Sequence, residues 1–169
     1  MNIFKFGGAS VKDADGVRNI LSVLKHTGFK DTFIVVSAMG KTTNALEKVV
    51  HSYFENKDQF HKKFEAVRSN HHEIIEGLFI EDKALVIEKI DVLFDETLSF
   101  LSGNVVHNYS LVYDQVVSIG ELASSTIISY YMRHQNIENT WLDARKCIIT
   151  DSYYRDANLD WEKTKTEIL

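Results

Sequence analysis

Two short apolar runs constrain this chain more than any other feature, because each breaks on a glycine-and-hydroxyl turn and then runs into a helical period. The first reads "NIFKFGGAS", Asn2 to Ser10, and the second "TFIVVSAMGKTT", Thr32 to Thr43. Asn2–Phe6 is expected to be a buried strand, and Asp13–Lys25 an amphipathic helix carrying Val17, Ile20, Leu21 and Leu24. Thr32–Ala38 is nearly all apolar, as suits a strand covered on both faces of a parallel sheet. A helix from about Thr43 to Phe54 follows it. Strand, helix, strand, helix in that order predicts an α/β fold whose mainly parallel sheet is sandwiched by helices.

The rest of the chain reads as mostly helical. Phe60, Phe64, Val67, His71, Ile74 and Leu78 recur at intervals of three and four, and Leu85, Ile90, Leu93, Phe94, Leu98 and Leu101 resume the pattern. Residues from about 58 to 101 therefore form a helical hairpin insertion, a structural element or partner surface. Ser110 is expected to cap a further long helix, with Thr140–Ala144 and Cys147–Asp151 as short strands. Asp156–Leu169 carries weak helix signals.

Composition narrows the class. With 44% hydrophobic and 25% charged residues, 169 residues make one soluble domain or a piece of one. A net charge of −5 gives no general attraction to nucleic acid or anionic membrane. The single cysteine, Cys147, excludes an internal disulfide, and no basic leader precedes the first strand, so a reducing, cytoplasmic setting is expected. Cys147 itself reads as a small core residue. The adjacent His71 and His72 do not share a helix face, so they are read as solvated rather than as metal ligands.

Four places offer chemistry. Lys5 with Gly7, Gly8 and Ser10 is either a surface lysine before a turn or an anion site, in which backbone N–H groups and a point charge meet a phosphate. Ser37 to Asn44 ends the second strand in the same style; "GKTT" fails as a P-loop, because Val35 stands where that motif needs a glycine. Neighbouring strands would bring both loops to one ligand. In "SIGELASS", Glu121 is walled by Val117, Ser118, Ser124 and Ser125, leaving room for an amino group or merely close helix packing. Arg155, in "SYYRDAN", is either a carboxylate clamp or an exposed arginine.

Together these pieces resemble the amino-terminal part of the aspartate kinases, within the amino-acid kinase family. "KFGGAS" followed by Val11 resembles that family's K-F-G-G-T-S-V opening, "VVSAMGKTTN" its V-V-S-A loop, "SIGE" its S-x-G-E helix, and "WLDAR" the strand before its second substrate loop. The resemblance implies phosphorylation of the L-aspartate side-chain carboxylate by ATP and Mg²⁺, giving 4-phospho-L-aspartate, the first step toward lysine, threonine and methionine. It implies that Lys5 stabilises the transferring phosphoryl group, that Gly7, Gly8, Ser10 and Ser37 bind phosphate, and that Ser37, Thr43, Glu121 and Arg155 hold aspartate. Ala9 departs from the family's threonine and removes one hydroxyl. The family's nucleotide-binding half and regulatory domains have no counterpart here, so 1–169 is expected to be the aspartate-side part, truncated, inactive alone and self-associating as a dimer. Another amino-acid kinase, or a non-catalytic assembly module with the same fold, are the alternatives.

Overall fold

The computed structural model describes the backbone of residues 1–169 and every side chain but that of Lys57. β1 (Asn2–Phe6) and β2 (Thr32–Val36) pair in parallel, from Asn2 opposite Thr32 to Phe6 opposite Val36. A parallel pair needs a crossover, which α1 (Ala14–Thr27) supplies. The Asp13 side chain starts α1 by accepting the Gly16 N–H at 2.8 Å, and Gly28 ends it at φ 86°. α2 (Thr42–Glu55), α3 (Lys57–Leu78), α4 (Lys83–Gly103), α5 (Tyr109–Val117), α6 (Ile119–His134) and α7 (Trp161–Ile168) complete the order. The expected α/β architecture is present, with more helix and a smaller sheet than the sequence led us to expect.

Coverage of the sheet differs from the expectation. Phe4, Phe6, Ile34 and Val36 pack against the helical core. The alternate residues face outward: Ile3 is 65% exposed, Phe33 47% and Val35 41%. Side chains alternate across a strand, so an all-apolar run with a single covered face leaves its other half open. Among the described residues the sheet is covered on one side only.

α3 and α4 form the hairpin, antiparallel, and it is packed rather than peripheral. Phe64 meets Phe94 at 5.2 Å between ring centres, and Arg68 bonds Asp95 at 2.7 Å. His71 corrects the solvated assignment: it is fully buried, its Nδ1 2.8 Å from the Val67 carbonyl and its Nε2 unpartnered among the described residues. Burial holds its pKa below the ordinary histidine value, keeping the ring neutral. His72, on the neighbouring face, lies half-buried against Asp91 at 2.9 Å. A helical period that includes a histidine thus placed it inside, as the apolar positions around it require.

Two further expectations change. The helix begins two residues early: Asn108, not Ser110, is its cap, accepting the Leu111 N–H at 3.1 Å. It also divides at Ser118 into α5 and α6. Thr140–Ala144 and Cys147–Asp151 do not form strands. Asp143 turns the chain into a 3₁₀ turn, Ala144–Lys146, by accepting from the Arg145 backbone at 3.0 Å and its guanidinium at 2.7 Å. That arginine holds the Asp143 carboxyl below the usual range. Local side-chain bonding of this kind competes with a ladder. Only an isolated bridge, Thr150 to Leu159, remains of the second run among the described residues. Cys147 closes the turn half-buried rather than in the core. Among the described residues no helix is long and apolar enough to cross a membrane.

Candidate functional site

Because β1 and β2 are neighbours and parallel, their carboxyl ends lie side by side, and both motif loops leave the sheet at the same edge. The ladder continues one bond past the strands, with the Ser37 N–H donating to the Phe6 carbonyl at 3.0 Å. The loops then lock together, the Gly40 N–H donating to the Gly8 carbonyl at 3.0 Å. A Cβ at Gly8 would stand 2.8 Å from the Ala38 carbonyl oxygen, so only glycine permits this approach. Gly40 itself sits at φ 55°, the left-handed region.

Lys5 is exposed on the outward face of β1. Its Nζ lies 3.7 Å from where a Gly7 Cβ would be, so the ammonium curls back over the glycine turn instead of extending into water. Ser10 is exposed in the following 3₁₀ turn, Gly8–Val11, its N–H donating to the Gly7 carbonyl at 2.9 Å. Ser37 and Thr43 are half-buried. Thr43 stands in the first turn of α2, whose N-terminus has no side-chain cap. Free N–H groups and the helix dipole there favour an anion.

α6 brings the carboxylate. Glu121 lies in its first turn, half-buried, and its Oε1 accepts the Ala38 N–H at 3.2 Å. The contact depends on Gly120, where a Cβ would come within 2.9 Å of the Ala38 Cβ and 3.2 Å of Thr42 Cγ2. Glycine at 120 lets the helix seat on the loop; glutamate at 121 ties it. Sequence reasoning singled out Glu121 but not this tie, and the one available signal was the glycine before it. The bond engages only one of the two carboxylate oxygens.

Arg155 is placed differently. It adopts φ 68°, its N–H donates to Asp114 Oδ2 at 2.8 Å, and its guanidinium stacks 4.4 Å from the Tyr113 ring centre. Among the described residues no hydrogen bond or ion pair joins it to Glu121. The structure thus gathers Lys5, Gly7, Gly8, Ser10, Ser37, Thr43 and Glu121 at one sheet edge and leaves Arg155 on α5.

This arrangement offers an ammonium, backbone donors and hydroxyls for phosphate oxygens, with a carboxylate across from them for a cationic group. The residues fit the phosphate end of a nucleotide. They do not fit a resident divalent cation, since among the described residues no group of three histidine, cysteine or acidic side chains could hold one.

The amino acid kinase family model matches residues 1–167. An aspartokinase of Chlamydia muridarum is 28% identical over 160 residues, covering 94% of this chain and 33% of that protein. The lysine-sensitive aspartokinase 3 of Escherichia coli is 27% identical over 159 residues, covering 94% and 34%. Escherichia coli aspartokinase III, solved with lysine and aspartate, superposes with a TM-score of 0.85 at 22% identity, covering 99% of this chain and 36% of that one. The chain spans about a third of the length of each of these proteins.

Proposed function

The chain belongs to the amino acid kinase family, and from that premise we propose that it is the aspartate-binding part of an aspartate kinase. One observation carries the reading: the Glu121 bond to the Ala38 N–H, which ties the α6 motif to the β2–α2 loop that is itself bonded, through the Gly40 N–H, to Gly8 of the first turn. ATP, when bound, supplies the phosphoryl group. An oxygen of the aspartate side-chain carboxylate forms the new bond to phosphorus as the bond to the ADP oxygen breaks, leaving 4-phosphoaspartate. Lys5 holds the charge shifting through the transferred group, and the Gly7–Gly8–Ser10 turn donates to its oxygens. Ser37 and Thr43 line the junction between phosphate and aspartate. Glu121 uses its free oxygen for the substrate ammonium. Arg155 is assigned the α-carboxylate on the family's pattern alone, since its guanidinium here stacks on Tyr113 apart from the other site residues.

The Gly7–Gly8–Ser10 turn takes the phosphate end of the nucleotide, the remaining nucleotide contacts fall to another part of the full-length protein, and Mg²⁺ comes with the nucleotide. The setting is cytoplasmic, where the lone Cys147 stays reduced. A coupled ADP-release assay tests the reading. A full-length protein carrying this segment turns over with L-aspartate and not with glutamate or acetylglutamate, and the 169-residue chain alone does not turn over. Preference for another acceptor would remove the aspartate assignment; turnover by the chain alone would remove the division of the site.

The open sheet face, with Ile3, Phe33 and Val35 exposed, favours self-association of the chain as a two-fold dimer. Light scattering across a wide concentration range is expected to show mass rising toward twice 19.4 kDa. A constant monomer mass would refute it.

A further inference from the structure

On the flank of the β2–α2 loop, sharing Gly40 and Thr42 with the site just described, a concavity of about 420 Å³ opens between α2, α3 and the turn after β1. Lys12, Lys41, Lys48 and Lys63 line it, and no lining residue is a carboxylate. A chain of net charge −5 has acids to spare, so four lysines converging without one is a local departure. Lys63 is half-buried, with its Nζ fixed 2.6 Å from Ser52 Oγ. Lys12 has an acidic neighbour, Asp13, but at 3.7 Å, and that carboxylate is already engaged in capping α1. Met39, Ala45, Ala66 and Val67 give the cavity an apolar floor, and Asn70 adds a neutral polar group.

Helix geometry sets the α2 wall of this cavity apart from Thr43, although the two places share the loop at Gly40 and Thr42. Ala45 lies two residues beyond Thr43, about 200° around α2 at about 100° per residue, so the two face opposite sides. The volume falls within the roughly 300–1,000 Å³ usual for small-ligand pockets. The donor set selects the ligand. Planar carboxylates favour the arginine fork, and no arginine lines the cavity; ammonium groups act as point charges suited to phosphate oxygens.

We infer that this cavity binds a small phosphorylated molecule with two or more negative charges, its apolar portion resting on Met39 and Val67. Met39, Gly40 and Thr42 form part of the wall and follow directly on Ala38, so the occupant braces the loop that ties Glu121. The inference stands on the cavity alone and survives failure of the kinase reading.

Amide-resolved NMR titration of the 169-residue chain with inorganic pyrophosphate, at about 150 mM salt to screen diffuse attraction, is the test. Shifts that saturate at Lys48, Val67 and Asn70 are expected, together with phenyl phosphate binding more tightly than inorganic phosphate. Lys12→Gln with Lys48→Gln, both exposed positions, is expected to weaken pyrophosphate about tenfold or more, with amide shifts of the free chain altered only beside the two substituted positions. Saturating shifts confined to Gly7, Gly8 and Ser10, no saturation at all, or equal affinity in the double variant would each overturn it.

Discussion

Lys5→Ala, in a full-length kinase carrying this segment, is expected to lower kcat by about 10²–10³-fold while the aspartate KM moves by less than about threefold. The ammonium curls over Gly7 at the end of β1, where the phosphoryl oxygens would lie. It meets the substrate carboxylate only through the group being transferred, so its charge matters most as that group leaves ADP. Interactions made chiefly in the transition state appear in kcat. Because Lys5 is exposed, truncation creates no cavity, and the melting temperature should hold within about 2 °C. Steady-state kinetics with aspartate varied at saturating ATP, beside a thermal melt, checks both. Turnover near wild type would return Lys5 to the plain surface reading.

Glu121→Gln is expected to act on aspartate, lowering kcat/KM by an amount on the order of 1.5–3 kcal/mol, about 10- to 150-fold, with ATP binding little changed. The amide keeps an acceptor for the Ala38 N–H and loses the charge that faces the substrate ammonium. Glu121→Ala removes both. If Glu121 serves binding and loop position together, the alanine variant also loses stability, by about 0.5–1.5 kcal/mol for the broken hydrogen bond. Kinetics for both variants with urea denaturation separates the contributions. A glutamine variant with wild-type aspartate kinetics would leave Glu121 as a packing residue only.

Much of this could be read from residues in order. The bounds of β1 agree with the expected strand, and Thr32–Val36, Ala14–Thr27 and the α3–α4 hairpin follow the apolar periods, because periodicity is a local property of the chain. The runs at 140–144 and 147–151 show the limit of that logic. They carry strand-like residues, yet Asp143 bonds its own neighbours and the chain turns. A strand needs a partner, and no local pattern reveals whether one is there. His71 fell on the apolar stripe of its helix, and the stripe determined its burial more than its polarity did.

The sequence by itself determined the two strand–turn–helix units, their glycine turns and the residues able to meet phosphate and ammonium groups. Each depends on neighbours a few positions apart, where the chain has little choice of conformation. Tertiary structure alone decided what those units do together. It set Gly120 against Ala38, 82 positions apart, and so tied Glu121 to the β2–α2 loop. It left Arg155 on Tyr113 and drew four lysines from three separate segments around one cavity. It also left Ile3, Phe33 and Val35 uncovered on one face of the sheet. These outcomes follow from which surfaces pack together, and packing is a property of the whole fold: residues far apart in the chain meet only after the core has closed.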